Sequence, residues 1–257
     1  MVGGLIIRGL IVGIVAGLLG FGFAKIFGEP PVDIAIAFET AHDEAERAAQ
    51  IAHGITPAAP EQELFSRTAQ GGIGLFTGVV VVGAGIGGIF AVLFAFANGR
   101  MGNLSPGAIS ILLAFYGWWS VYVIPALKYP PNPPSIGEPE TIKLRTGLYF
   151  LIMAISIAAT IGSLLLRRNL VAKCGAWLGS VIAFLVYLAV FCFFFAILPG
   201  INEVPENFPA ATLWQFRMAS LGIQTILWGS IGLMFGWLVE RPLGFSAGAG
   251  PPAAMRV

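Results

Sequence analysis

The sequence predicts an all-α integral membrane protein: a six-transmembrane-helix bundle with a long acidic first extracytoplasmic loop containing a short helix. Three observations carry this. Of the 257 residues, 57% are hydrophobic and only 11% charged, against about 25% charged in an ordinary soluble domain. The apolar residues gather into runs long enough to cross ~30 Å of hydrocarbon, which takes about 20 residues of helix. Lipid offers no partner for open backbone, and a helix satisfies its own N–H and C=O groups. The 34 glycines agree, because Gly is commoner in membrane helices than in soluble ones.

Six runs qualify as spans, at about 5–27, 73–97, 108–126, 147–166, 177–198 and 219–238, and together they make a single membrane domain over 1–243. The first begins beside Arg8 and runs on to Ile26 with no A-x-A cleavage pattern, so it reads as a retained helix rather than a signal peptide. The connection that follows, 28–72, is long and acidic, with Glu29, Asp33, Glu39, Asp43, Glu44, Glu46, Glu61 and Glu63. Within it, Pro30-Pro31 followed by alanine-rich sequence to Ala52 reads as a helix over Val32–Ala52, since proline suits a helix start and no breaker comes before Gly54. The second connection is short and holds only Arg100. The third, 128–146, is proline-rich and carries Glu138 and Glu140 beside Lys128, Lys143 and Arg145. The fourth holds Arg167, Arg168 and Lys173 and no acid. The fifth, 199–218, has Glu203, Glu206 and Arg217, and residues 244–257 read as a disordered Gly/Pro/Ala tail.

Basic residues near helix ends set orientation. Summed by side they tie at seven and seven, so density decides. Arg167, Arg168 and Lys173 crowd one acid-free connection, and Arg8, Arg100 and Arg241 sit at helix ends on the same side. Twelve of the thirteen acids lie on the opposite side. This places both termini and the two short basic loops in the cytoplasm and the three acidic loops outside, in a multi-pass membrane protein.

Each of the three outer loops enters its next helix through an arginine, Arg67, Arg145 or Arg217. These residues, with Glu203 and Glu206, are candidate structural corners: an arginine–acid clasp repeated at each hairpin, or simply interfacial arginines at helix ends. Gly13/Gly17, Gly74/Gly78, Gly83/Gly87 and Gly232/Gly236 match G-x-x-x-G, the spacing that lets helix backbones approach closely.

The chemistry available is narrow. The spans hold no ionisable residue except Arg8 and Lys25 near the ends of the first, which argues against a proton-coupled carrier with a midplane carboxylate. There is no G-x-x-x-x-G-K-[ST] run and no base with a nucleophile in one outer loop, so an enzyme is not expected. The two cysteines are too few for a disulfide framework. The one candidate metal site lies on the first-loop helix, where Glu39, His42, Asp43, Glu46 and His53 fall near one stripe at about 100° per residue. Imidazole and carboxylate together suit first-row divalent ions. His53 lies about two turns beyond Glu46, so one ion could take Glu39, His42 and Glu46 but not all of them. A solvated acidic face on a surface helix has the same pattern.

Several runs have the look of a known family: G-E-P-P-V-D-I-A-I-A-F-E-T-A-H from Gly28, Q-G-G-I-G-L-F-T from Gln70 and P-A-L-K-Y-P-P-N-P-P from Pro125. I-N-E-V-P-E-N-F-P-A from Ile201 and W-Q-F-R-M-A-S-L-G from Trp214 complete the set. On these the chain resembles the CbtA family, proposed cobalt transporter subunits of bacteria. The resemblance implies cobalt uptake for cobalamin synthesis alongside a small single-span, histidine-rich (CbtB-like) partner. Cobalt or another divalent metal would then be substrate, with no permanently bound cofactor and no nucleic acid. Members are usually described with one span fewer than the six read here. The alternative reading is a structural subunit that packs in a larger membrane complex and moves no solute; the glycine faces and the charge-free spans favour it.

Overall fold

The computed structural model describes residues 2–57, 65–134 and 136–241. Among them there is no strand, and six helices are long and apolar enough to cross a membrane. Glu61, Glu63 and the 244–257 tail lie outside the described residues.

The first helix is far longer than its apolar run. α1 (Val2–Phe23) passes through a π-helical turn, Ala24–Gly28, directly into α2 (Glu29–Ala52), so that 51 residues form one continuous rod. The helix anticipated over Val32–Ala52 is therefore present, but as an extension of the first span. Pro30 and Pro31 lack N–H donors and would break the i→i−4 ladder of a continuous helix, and they fall directly after the π-helical turn, where that ladder has already shifted.

The second long helix starts at α3 (Arg67–Ala69), where the Ser66 hydroxyl accepts the Ala69 N–H at 3.3 Å. It continues through a π-helical turn, Gln70–Gly74, into α4 (Leu75–Ala97). α5 (Pro106–Gly117) is capped by Ser105, whose hydroxyl accepts the Ala108 N–H at 3.2 Å, with Pro106 in the first turn. A third π-helical stretch, Trp118–Val123, leads into α6 (Ile124–Lys128). α7 (Ile142–Cys174) and α8 (Ala176–Ile197) are joined at Gly175 alone, at φ 84°, a conformation that glycine adopts without strain. The basic residues Arg167, Arg168 and Lys173 lie on α7 itself, because nothing before Gly175 breaks a run of good helix formers. α9 (Ala210–Glu240) completes the bundle.

The core forms where α1, α4, α5 and α9 meet, around Val12, Phe94, Ile109, Ile231 and Phe235. Glycine makes this possible. A Cβ on Gly13 would collide with the Gly83 carbonyl, and one on Gly87 with the Gly9 carbonyl, so α1 and α4 touch backbone to backbone. On α9, Gly232 abuts Ala114 of α5, and the buried Ser110 hydroxyl donates to the Gly232 carbonyl at 2.7 Å. Gly78, by contrast, faces open space. The α7–α8 hairpin packs beside this group, and Trp119 of the third π-helical stretch donates to the Tyr187 hydroxyl of α8 at 2.6 Å. Large apolar side chains such as Ile7, Phe96 and Trp177 point outward, as they do where the surrounding solvent is lipid.

Candidate functional site

All three arginine corners lie at one end of the bundle, where α1, α6 and α8 finish and α3, α7 and α9 begin. Each holds a different partner. Arg67 bonds Asp33 and Glu29 of α2, each at 2.8 Å, and Lys25 reaches Glu29 at 3.6 Å and the Gly71 carbonyl at 3.0 Å. Two cations and two carboxylates thus tie the rod to the start of the second long helix. Gly71 has no room for a Cβ, which would strike the Glu29 carboxylate.

Arg145 pairs with Glu203 at 3.3 Å and donates to the Glu138 carbonyl at 3.2 Å, linking the proline-rich connection to the one before α9. Glu203 also accepts the Glu138 N–H at 2.9 Å. The Thr141 hydroxyl, that N–H and Arg145 hold the Glu203 carboxyl below its ordinary value, outweighing the cost of burying it. Arg217 meets no acid among the described residues. Its Nε donates to the Pro131 carbonyl at 3.3 Å and one terminal nitrogen to Asn132 Oδ1 at 3.0 Å. Glu206 is exposed. The ties of Arg145 and Arg217 therefore cross between loops, while Arg67 pairs within its own, and Glu203 serves Arg145 rather than the Arg217 of its own loop.

Lys128 adds a fourth tie, foreshadowed in the sequence only by the run P-A-L-K-Y-P-P-N-P-P. Its ammonium donates to the Phe195 and Leu198 carbonyls at 2.8 Å each, satisfying acceptors left open at the end of α8. Tyr129 then donates to the Pro199 carbonyl at 2.9 Å. Between these ties lies a cavity of about 770 Å³, lined by Arg145, Arg217, the proline run and Glu39 of α2.

α2 packs on this end only through its first half. Ala35 is fully buried, and Phe38 meets Phe208 edge to face at 5.2 Å. From Thr40 on, nearly every residue is exposed. His42 stacks parallel to Phe38 at 6.5 Å and is otherwise open to water, as are Asp43 and Glu46. Glu46 accepts from Gln50 at 3.3 Å, and His53 forms the turn that ends the helix. Glu39 is half-buried against the cavity, so it is set apart from its stripe neighbours. Among the described residues, no group of three or more His, Cys, Asp and Glu side chains is gathered closely enough to hold a metal ion. Among the described residues, the buried polar groups of the helices include the hydroxyls of Ser110, Ser120, Ser156, Thr160 and Thr212 and the indole N–H groups of Trp118 and Trp228.

Six long apolar helices, a glycine-packed core and, among the described residues, no buried ionisable side chain other than tyrosine define a multi-pass α-helical membrane protein. Within that class, the family model for CbtA, described as a probable cobalt transporter subunit, matches residues 2–240, and the chain belongs to that family. Comparison with curated proteins and with solved structures returned no match.

Proposed function

We propose that the chain is the membrane subunit of a cobalt uptake system that supplies cobalamin synthesis, and that it is not a catalyst. The family match across residues 2–240 carries this reading. The acidic end faces outward in a bacterial inner membrane and both termini lie in the cytoplasm; the dense basic residues Arg167, Arg168 and Lys173 at the other end support that orientation. Cation capture falls to the free half of α2, where exposed His42, Asp43 and Glu46 gather donors that suit a first-row divalent ion.

A hydrated divalent ion crossing the bilayer must exchange its water for other ligands. The bundle interior offers hydroxyls and backbone, which bind cobalt weakly compared with imidazole. The histidines of a small single-span partner would fill that gap, so transport requires two chains. Vesicles holding this chain with and without such a partner, assayed with radioactive cobalt, test the reading. Accumulation only with both is expected; none in either case removes it.

A further inference from the structure

We propose that the cavity between the outer loops binds a small polycarboxylate, recognised by Arg217 together with Arg145. The cavity has about 770 Å³, within the range of small-molecule sites. Its walls come from three separate parts of the chain: the proline run of the third connection, the first turns of α7 and the segment entering α9. Four of the five residues from Pro130 to Pro134 are prolines of fixed φ and the fifth, Asn132, suits a turn, which keeps the wall open rather than collapsed. Glu39 closes the lining from α2.

The charge arrangement points to the ligand class. Arg145 already has Glu203, at 3.3 Å. Arg217 has only a backbone carbonyl and an amide oxygen, and among the described residues no carboxylate lies within ion-pair distance of it. A half-buried guanidinium whose partners are both neutral retains the desolvation cost of its charge without a counter-charge to offset it. Its remaining terminal nitrogen has no protein partner among the described residues, and a guanidinium fork matches a carboxylate in plane and spacing. Thr146, Tyr149 and Asn202 add hydroxyl and amide donors on the same lining. This set recognises a ligand with more than one carboxylate and further oxygen acceptors.

Glu39 gives the site a second sign of charge. A free polycarboxylate is repelled by it, whereas the metal complex of the same acid offers the metal to Glu39 and its outer oxygens to the arginines. That extension to a metal chelate rests on the transport reading above; the anion site itself does not.

The test uses the purified full chain in nanodiscs and citrate as the probe, with and without Co²⁺, read by calorimetry. Citrate binds in at least one of the two conditions, and acetate, which offers a single carboxylate, binds at least about tenfold more weakly. Arg217→Gln weakens citrate by about tenfold or more, while Thr146→Ala and Tyr149→Phe, which leave the clasps intact, weaken it by a smaller factor. Glu39→Gln tightens metal-free citrate and weakens the cobalt complex, and the opposite signs separate the two ligand forms. Absence of citrate binding in both conditions overturns the proposal, as does equal affinity in Arg217→Gln. Citrate binding lost in phosphatidylglycerol nanodiscs but kept in phosphatidylcholine would assign the arginines to lipid headgroups and overturn it too. Cobalt accumulation in vesicles that persists without any citrate site would leave transport standing and the polycarboxylate site refuted.

Discussion

Gly83 shows how much one residue controls here. Its absent side chain lets the carbonyl of Gly13 lie against it, so any larger residue must push α1 and α4 apart. Gly83→Leu is expected to cost about 3 kcal/mol or more, at the upper end of overpacking penalties, and to lower the melting temperature in detergent sharply. Gly78→Ala, which meets open space, should leave it unchanged. Both positions belong to G-x-x-x-G pairs in the sequence, and only contact with a partner helix tells them apart. Glu203 offers a second residue-level test. Its carboxyl is held below its ordinary value, so the stability it contributes is present above the unfolded value near 4.5 and is lost as pH falls through the folded one. Glu203→Gln should therefore flatten the loss of melting temperature below pH 4.5; an unchanged acid profile would show that the ties of Glu203 to Thr141, the Glu138 N–H and Arg145 contribute nothing.

At the scale of elements, the corner around Arg67 joins the rod to the second long helix through four charged side chains. Glu29 is 14% exposed and Asp33 63%, so Arg67→Ala should cost about 1–2 kcal/mol, between the exposed and buried limits for ion pairs. A thermal melt in detergent checks this. Among the described residues α2 beyond Thr40 is almost wholly exposed, and its amides should exchange hydrogen far faster than those of α1 around Gly13. Cobalt should slow that exchange in the native chain but not after His42→Ala; indifference to cobalt in both would leave the stripe a solvated acidic face. The sequence made these elements legible to unequal degrees. Hydropathy alone located the six helices, because the cost of open backbone in lipid leaves no other choice. It could not locate helix ends, since Glu29–Ala52 and Arg167–Cys174 continue their helices in water, where propensity rather than hydropathy decides. Nor could it pair the corners: the partner of Arg217 is Asn132, 85 residues away, while the acids nearest in sequence are not bonded to it.

For the whole molecule, the charged groups separate by end: Arg67, Arg145 and Arg217 with most of the acids at one, Arg100, Arg167 and Lys173 at the other. With the native cysteines replaced by serine, Glu206→Cys should react with a membrane-impermeant thiol reagent on intact cells. Arg168→Cys should react only after permeabilisation, and the reverse pattern would invert the orientation proposed above. The site was less legible than the fold at this scale. The stripe of Glu39, His42, Asp43, Glu46 and His53 could be drawn on a helical wheel, but the cavity draws on four stretches of chain and no local pattern announces it.

The unbroken rod of α1 and α2 also sets a mechanical condition on whatever meets its tip. The exposed stretch from Thr40 to Ala52 is about 20 Å long at helical rise. It is held at its base by the Arg67 corner and by Phe38 against Phe208. A bend of a few degrees beyond Phe38 would move the tip by about an ångström or two while leaving those ties and the glycine-packed part of α1 in place. Groups carried on such an arm are presented to the mouth of the bundle at a local concentration fixed by the arm's length rather than by the surrounding solution. Lengthening or shortening the rod by whole turns would change that concentration without altering a single donor atom.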